Sequence, residues 1–312
     1  MLSRTADNLF WMARYVERAD YLARILDAAR RLSALPTSVG AGGAEWDSVL
    51  RSSGAAEAFY ALNREATEEA VSQFLLFAPD NPSSVYSCLT NARNNGRAVR
   101  TALTSETWEA LNGAWNELNA LSPKDALNDP GRYLEWVKSA ALMFDGSARR
   151  TMLRNDAYWF VRLGGAVERA DNTARILDVK YHLLLPQSEM VGGGLDYFQW
   201  TTILREVSAL TAYRWVYQQS LQAGLVADLL ILNRQMPRSL ASCYEVATRY
   251  LDLLSDTYGR RGESQKRARA TSAKLSGLDI ATVFDQGLHE FIEVFLKEHG
   301  MLTTAITEQY LN

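Results

Sequence analysis

The stretch Val16-Glu17-Arg18-Ala19-Asp20-Tyr21-Leu22-Ala23-Arg24-Ile25-Leu26-Asp27 occurs a second time in this chain, as Val167-Glu168-Arg169-Ala170-Asp171-Asn172-Thr173-Ala174-Arg175-Ile176-Leu177-Asp178. Ten of the twelve positions are identical. The correspondence continues downstream. Each copy runs on to a Leu-Pro pair (Leu35-Pro36, Leu185-Pro186) and a glycine-rich segment (40–43, 192–194). Each then reaches a Trp with Leu-Arg four and five residues on: Trp46, Leu50, Arg51 and Trp200, Leu204, Arg205. Pro82-Ser83-Ser84-Val85-Tyr86-Ser87-Cys88 echoes Pro237-Arg238-Ser239-Leu240-Ala241-Ser242-Cys243, which puts the two cysteines at equivalent positions. Internal periodicity of this length signals a duplicated unit. The sequence therefore reads as tandem halves, 1–150 and 151–312, fused into one body with the two motif helices close together.

The motif itself is helical. Leu9, Met12, Ala13, Val16, Ala19, Ala23 and Leu26 recur at a period of 3.6. Leu221, Leu225, Leu229 and Leu232 do the same, as do Leu288, Phe291, Ile292, Phe295 and Leu296. No segment alternates like a strand between turn signals. Asn81-Pro82 reads as a helix start, Ser105 as the cap of the helix through Trp108, Leu111 and Trp115. The expectation is an all-α helical bundle of about ten helices.

Composition excludes other classes. The 312 residues are 47% apolar and 10% aromatic, too rich for a disordered chain. No uninterrupted apolar run reaches the length of a bilayer span, and no signal-peptide pattern precedes the first helix. A formal charge of −3 gives no global electrostatic case for nucleic acid or anionic lipid. Two cysteines cannot make a disulfide framework and fit a reducing, cytoplasmic setting.

Placed on a wheel at 100° per residue, Trp11, Met12, Tyr15, Val16, Ala19, Leu22, Ala23 and Leu26 form an apolar arc. Arg14, Glu17, Asp20, Tyr21, Arg24, Asp27 and Arg31 form the opposite arc, with Asp20–Arg24 and Asp27–Arg31 as i,i+4 pairs. Arg18 sits at the edge. Glu17 and Arg18 point in different directions and cannot pair with each other. Three readings stay open. The charges form a solvated, salt-bridged face, or a buried network between helices, or a site for an anionic ligand, since Arg offers a bidentate fork to carboxylate or phosphate. The candidate site is Glu17, Arg18, Asp20 and Arg24 with Glu168, Arg169, Asp171 and Arg175. In the ligand reading the arginines hold the anion, and Glu17 or Glu168 is general base or amine anchor.

Other groups carry weaker signals. Arg93, Arg97 and Arg100, at i, i+4 and i+7, suggest an anion-binding helix face. The basic stretch from Gly259 to Lys274 suggests a solvated segment or a dock for an acidic partner. The Glu-x-x-His spacing of a di-iron bundle is absent, so no metal or cofactor is expected. His289 with Glu290 and Glu293 reads as a helix surface rather than an acid–base cluster. The glycine-rich segments lack the Gly-Lys-Ser/Thr of a phosphate loop. Cys88 and Cys243 read as small core residues rather than nucleophiles.

These motifs together resemble the bacterial alpha-E family, an all-helical domain named for its Glu-Arg motif. The residues that carry the likeness are Trp11 to Asp20, Val167 to Asp171, Asn81-Pro82-Ser83-Ser84 with Ala92-Arg93 and Arg97 to Arg100, Trp108 to Asn112, and Gly287 to Phe291. Two positions depart from the pattern: Asn94 stands where Glu is expected, and Gly165 where the first half has Arg14. The resemblance implies a gene neighbourhood with circularly permuted ATP-grasp ligases and transglutaminase-like proteins. It implies an accessory or partner role in making or processing a small peptide, and no established reaction of the helical protein itself.

Overall fold

A computed structural model describes residues 1–34, 44–62, 64–182 and 193–312. The glycine-rich segment 40–43 and both Leu-Pro pairs lie outside these residues.

The first motif lies in α1 (Ser3–Ser33), a helix about 45 Å long at 1.5 Å per residue. It contains neither Pro nor Gly. The second lies in α9 (Asp156–His182). Between them run α2 (Ala44–Ser52), α3 (Ala56–Tyr60), α4 (Glu68–Phe77), α5 (Val85–Ala98), α6 (Ser105–Ala120), α7 (Pro123–Asn128) and α8 (Pro130–Thr151). After α9 come α10 (Gly194–Glu206), α11 (Leu210–Tyr217), α12 (Ala223–Ile231), α13 (Leu240–Tyr258), α14 (Glu263–Ser276), α15 (Ile280–Gln286) and α16 (Leu288–Ile306). A π-helical turn, Thr307–Leu311, ends the chain. No strand occurs among the described residues. The sixteen helices among the described residues exceed the expected ten, in part because α3, α7, α11 and α15 span only 5 to 8 residues, too few for a periodic pattern to register.

Two helix starts differ from expectation. Asn81 sits in the turn before α5, where its carbonyl accepts from the Ser83 amide and its own amide reaches the Phe74 carbonyl. The cap is Ser84, whose Oγ accepts from the Ser87 N–H at 3.1 Å. Ser239 caps α13 in the same way. The cap of α6 is Thr104, one residue before the expected Ser105.

α1 is the axis of the body. It packs on α9, α5 and α8, while α9 packs on α1, α13 and α16. Every residue from Ala19 to Asp27 is buried, a run of more than two turns. The arc read as polar is therefore as deep in the protein as the arc read as apolar. This removes the solvated-face reading for the central part of α1, which is covered on all sides from Ala19 to Asp27.

Contacts advance together along the two motif helices: Gly164 meets Phe10, Glu17 meets Arg169 and Asn172, and Ile25 and Ile176 line one small cavity. α1 and α9 thus run in the same direction. They pack backbone to backbone at Gly164, where a Cβ would stand 2.2 Å from the Phe10 carbonyl oxygen. That obstacle is backbone, which cannot swing aside as a side chain would. The neighbouring Gly165 would meet nothing within 4 Å. Gly164→Ala is expected to destabilise the protein by about 1–3 kcal/mol or more through forced separation of the two helices. Gly165→Ala should instead be neutral or stabilising by up to about 1 kcal/mol, as for any helix-interior glycine. Urea denaturation of the pair checks this.

Candidate functional site

The motif charges meet across the α1–α9 contact in a reciprocal exchange. Arg169 of α9 grips Glu17 of α1 with two bonds, Nε to Oε1 at 2.9 Å and Nη2 to Oε2 at 2.6 Å. Arg18 of α1 grips Glu168 of α9 in the same bidentate way, at 2.6 and 3.1 Å. Neighbours in sequence that cannot pair along one helix pair instead with the same two residues of the other.

Each glutamate has a second guanidinium, and here the halves diverge. Glu168 receives Nε of Arg14 at 2.7 Å. Glu17 receives Nη1 of Arg238 at 3.0 Å, and the same arginine reaches Asp20 at 2.7 Å. In the sequence correspondence, Gly165 stands opposite Arg14 and Ser83 opposite Arg238. The two departures compensate: each half lacks the arginine the other uses, and both carboxylates keep two cationic partners. Thr173 fixes Arg238 by donating to its carbonyl oxygen at 2.7 Å. Arg14 also stacks over Trp11, 4.5 Å from the ring centroid.

The remaining motif charges tie helix ends. Arg24 bonds Asp20 (2.7 Å), then donates to the Glu206 carbonyl (2.7 Å) and to Ser208 Oγ (3.2 Å) at the end of α10. Ser208 is held there at a left-handed φ of 56°. In the other half, Arg175 bonds Asp171 (2.6 Å) and lies against Gly54, which has a left-handed φ of 69° after α2. Asp27 bonds Arg31 (3.1 Å) and Lys138 of α8 (3.3 Å).

These charges are removed from water: Glu168 is 2% exposed, Asp20 3% and Glu17 8%. Burial acts to raise the Glu17 pKa, but Arg169, Arg238 and Arg24 outweigh it and hold the carboxyl down at about 2. Glu168 is likewise lowered, with Arg14 and Arg18 overcoming its burial. Both stay ionised and both are saturated by guanidinium. The space beside Glu17, next to Gly165 and Arg162, measures about 30 Å³. That accommodates one water and no substrate.

The other candidates are placed differently. α5 ends at Ala98, so Arg100 falls in a separate 3-10 turn (Arg100–Ala102) and does not share one helix face with Arg93 and Arg97. Arg93 turns to α6, over Trp115 at 4.2 Å and bonded to Asn112; Arg100 lies over Trp108; Arg97 is exposed. In the basic stretch, Arg267 pairs with Glu263, Arg269 with Asp252 and Lys274 with Glu298. His289 joins Asp178 of α9 through Nδ1 at 2.7 Å, a bond that raises its pKa and bridges α16 to α9. Cys88 and Cys243 are fully buried free thiols, and burial pushes both up to about 12, far from a nucleophile's range. No cluster of His, Cys, Asp and Glu fit for a metal occurs among the described residues.

Sequence reasoning missed Arg14 and Arg238 as partners of the motif glutamates. The paired departures at Gly165 and Ser83 carried that signal. It also missed Glu206, a side chain 4% exposed above a small cavity lined by Ile25, Leu32, Val49, Ile176 and Ile203. Arg31 stands 4.0 Å away. Burial, then Asp27, push its pKa to about 8 against Lys138, Arg31 and Arg24.

Taken together, the fold and the exchange define an all-α protein organised around two charged helices that bury their polar faces against each other. The chain belongs to the Alpha-E family, described as "a predicted alpha-helical domain with a conserved ER motif", whose match runs over residues 1–311. It is 25% identical over 281 residues to an uncharacterized protein of Mycobacterium bovis, and 24% identical over the same length to one of Mycobacterium tuberculosis H37Rv. Each alignment takes in 84% of this chain and 30% of the relative. The chain thus spans about 30% of the length of the curated relatives it matches. No solved structure matches it. No helix among the described residues is long and apolar enough to cross a membrane.

Glu206 gives this architecture a pH signature. Between its ordinary value of 4.5 and its folded value of about 8, the folded protein holds a proton that the unfolded chain has released. Stability therefore falls as pH rises through that window. Glu17 acts in the opposite sense: its contribution is full above 4.5 and is lost as pH falls through about 2. Glu206→Gln should match the wild type near pH 4.5 and exceed it at pH 9. Denaturation midpoints across that range check the divergence.

Proposed function

We propose that the chain is a non-catalytic helical partner of an ATP-grasp peptide ligase or a transglutaminase-like protein, acting in the cytoplasm. In this reading, residues 1–150 and 151–312 are duplicated halves, and the Glu-Arg motif is the lock that fuses them. The carrying observation is the mutual saturation of the motif. Glu17 and Glu168 each already hold two guanidiniums, and the adjoining space takes one water. A substrate carboxylate or phosphate would have to displace a buried ion pair, leaving a charge uncompensated at a cost of about 3–5 kcal/mol. This weighs against the alternative of a Glu/Arg ligand or catalytic site between the motif helices. A partner role is further supported by the mycobacterial relatives, which carry a region like this one beside more than twice its length of additional chain. The family resemblance supplies the class of partner.

Replacing the whole Glu168 cluster with apolar residues of similar size tests the reading. Buried ion pairs tolerate such replacement when all members change together. Arg14→Met/Arg18→Met/Glu168→Leu should fold and should co-elute with the ligase partner, supporting its turnover as the wild type does. A folded triple variant that still binds the partner but no longer supports turnover would show that the motif acts on a ligand. Failure of the wild-type protein to co-elute with either class of partner would overturn the partner role.

A further inference from the structure

Where α8 begins, α6, α7 and α8 line a groove of about 620 Å³, the size of a small-molecule or peptide side-chain site. Its rim carries three carboxylates, Glu117, Asp125 and Asp129, against one lining cation, Arg132. Its wall is aromatic. Trp136 and Tyr133 lie 5.5 Å apart, and Phe77 stands behind Tyr133 at 5.1 Å.

The acceptor capacity of this rim is largely unmet. Trp136 Nε1 donates to Glu117 Oε2 at 2.6 Å, which fixes both side chains and leaves Oε1 open. Asp129 uses Oδ1 as the cap of α8, accepting from the Arg132 amide at 3.2 Å, and leaves Oδ2 open. Tyr133 lines the groove with its ring while only 3% exposed, and its hydroxyl is sealed from the surface. The carboxylates are not gathered tightly enough to hold a metal ion. They are spread along the groove, as suits a cation carried on an extended chain. A planar guanidinium fits best, since it can stack on Trp136 and fork to a carboxylate at once.

We infer that this groove binds arginine side chains of a peptide segment. The inference uses none of the motif residues and holds whatever their role.

The test is calorimetric titration of the full chain with the blocked tripeptide acetyl-Arg-Ala-Arg-amide and with its citrulline counterpart, which keeps the shape and loses the charge. The arginine peptide should bind and the citrulline peptide should not. Glu117→Gln/Asp125→Asn, both exposed positions, should keep the wild-type melting temperature and weaken binding at least about tenfold, the loss of one strong charged contact. Equal binding of the citrulline peptide, unchanged affinity in the double variant, or no binding of the arginine peptide would overturn the inference. Spermidine binding as tight as the peptide would overturn the peptide class and leave only a generic polyamine site.

Discussion

Everything in this molecule is arranged around a glutamate on each of two parallel helices held by the arginine that follows the glutamate on the other. Buried charge is expensive, and it is tolerated only where geometry is close to ideal and the partner is always present. The two bidentate grips meet that condition because α1 and α9 lie side by side at a definite register. A shift of either helix by one turn would strand Glu17 and Glu168 away from their guanidiniums. The exchange therefore fixes the register, and the register fixes where Gly164 must be, because only a residue without a side chain fits against the Phe10 carbonyl. Burial of the middle of α1 on all sides follows: a helix segment that carries its charges to another charged helix no longer needs a wet face.

The second layer of arginines extends the same logic. Arg14 and Arg238 come from non-equivalent places, yet each completes one glutamate. Arg24 holds the strained end of α10 through the Glu206 carbonyl and Ser208, while Arg175 sits against the end of α2 at Gly54. Charges that begin as a central lock thus become ties to the periphery. Glu206 is the exception that shows the rule. With Arg31 no nearer than 4.0 Å, its carboxyl rises to about 8 rather than falling to about 2 as Glu17 does.

Much of this was readable from residues alone, and the boundary has a physical cause. The helical class and the special standing of the two motif helices followed from a repeated twelve-residue stretch whose charges were kept along with its apolar positions. The edge position of Arg18 and its inability to pair with Glu17 were visible on a single wheel. The wheel could not show that the polar arc is buried, because that depends on a second charged helix that only the fold supplies. Caps at Ser84 and Thr104 were displaced by one to three residues, since several short polar side chains in each turn can serve. Arg100 lies two residues beyond the end of α5, and nothing in its own type marks that end. Glu206 was unreadable: its environment comes from α1, α8 and α9, not from its neighbours in sequence.

A set of double-mutant cycles on the four motif residues tests the reciprocal lock most directly. Cross-helix pairs in contact couple, and pairs without contact do not. Coupling energies of about 1.5–3 kcal/mol are expected for Glu17 with Arg169 and for Arg18 with Glu168. Coupling should be several-fold smaller for the sequence neighbours Glu17 with Arg18 and Glu168 with Arg169. Equal coupling in all four cycles, or none across the helices, would contradict the lock on which the rest of the fold depends.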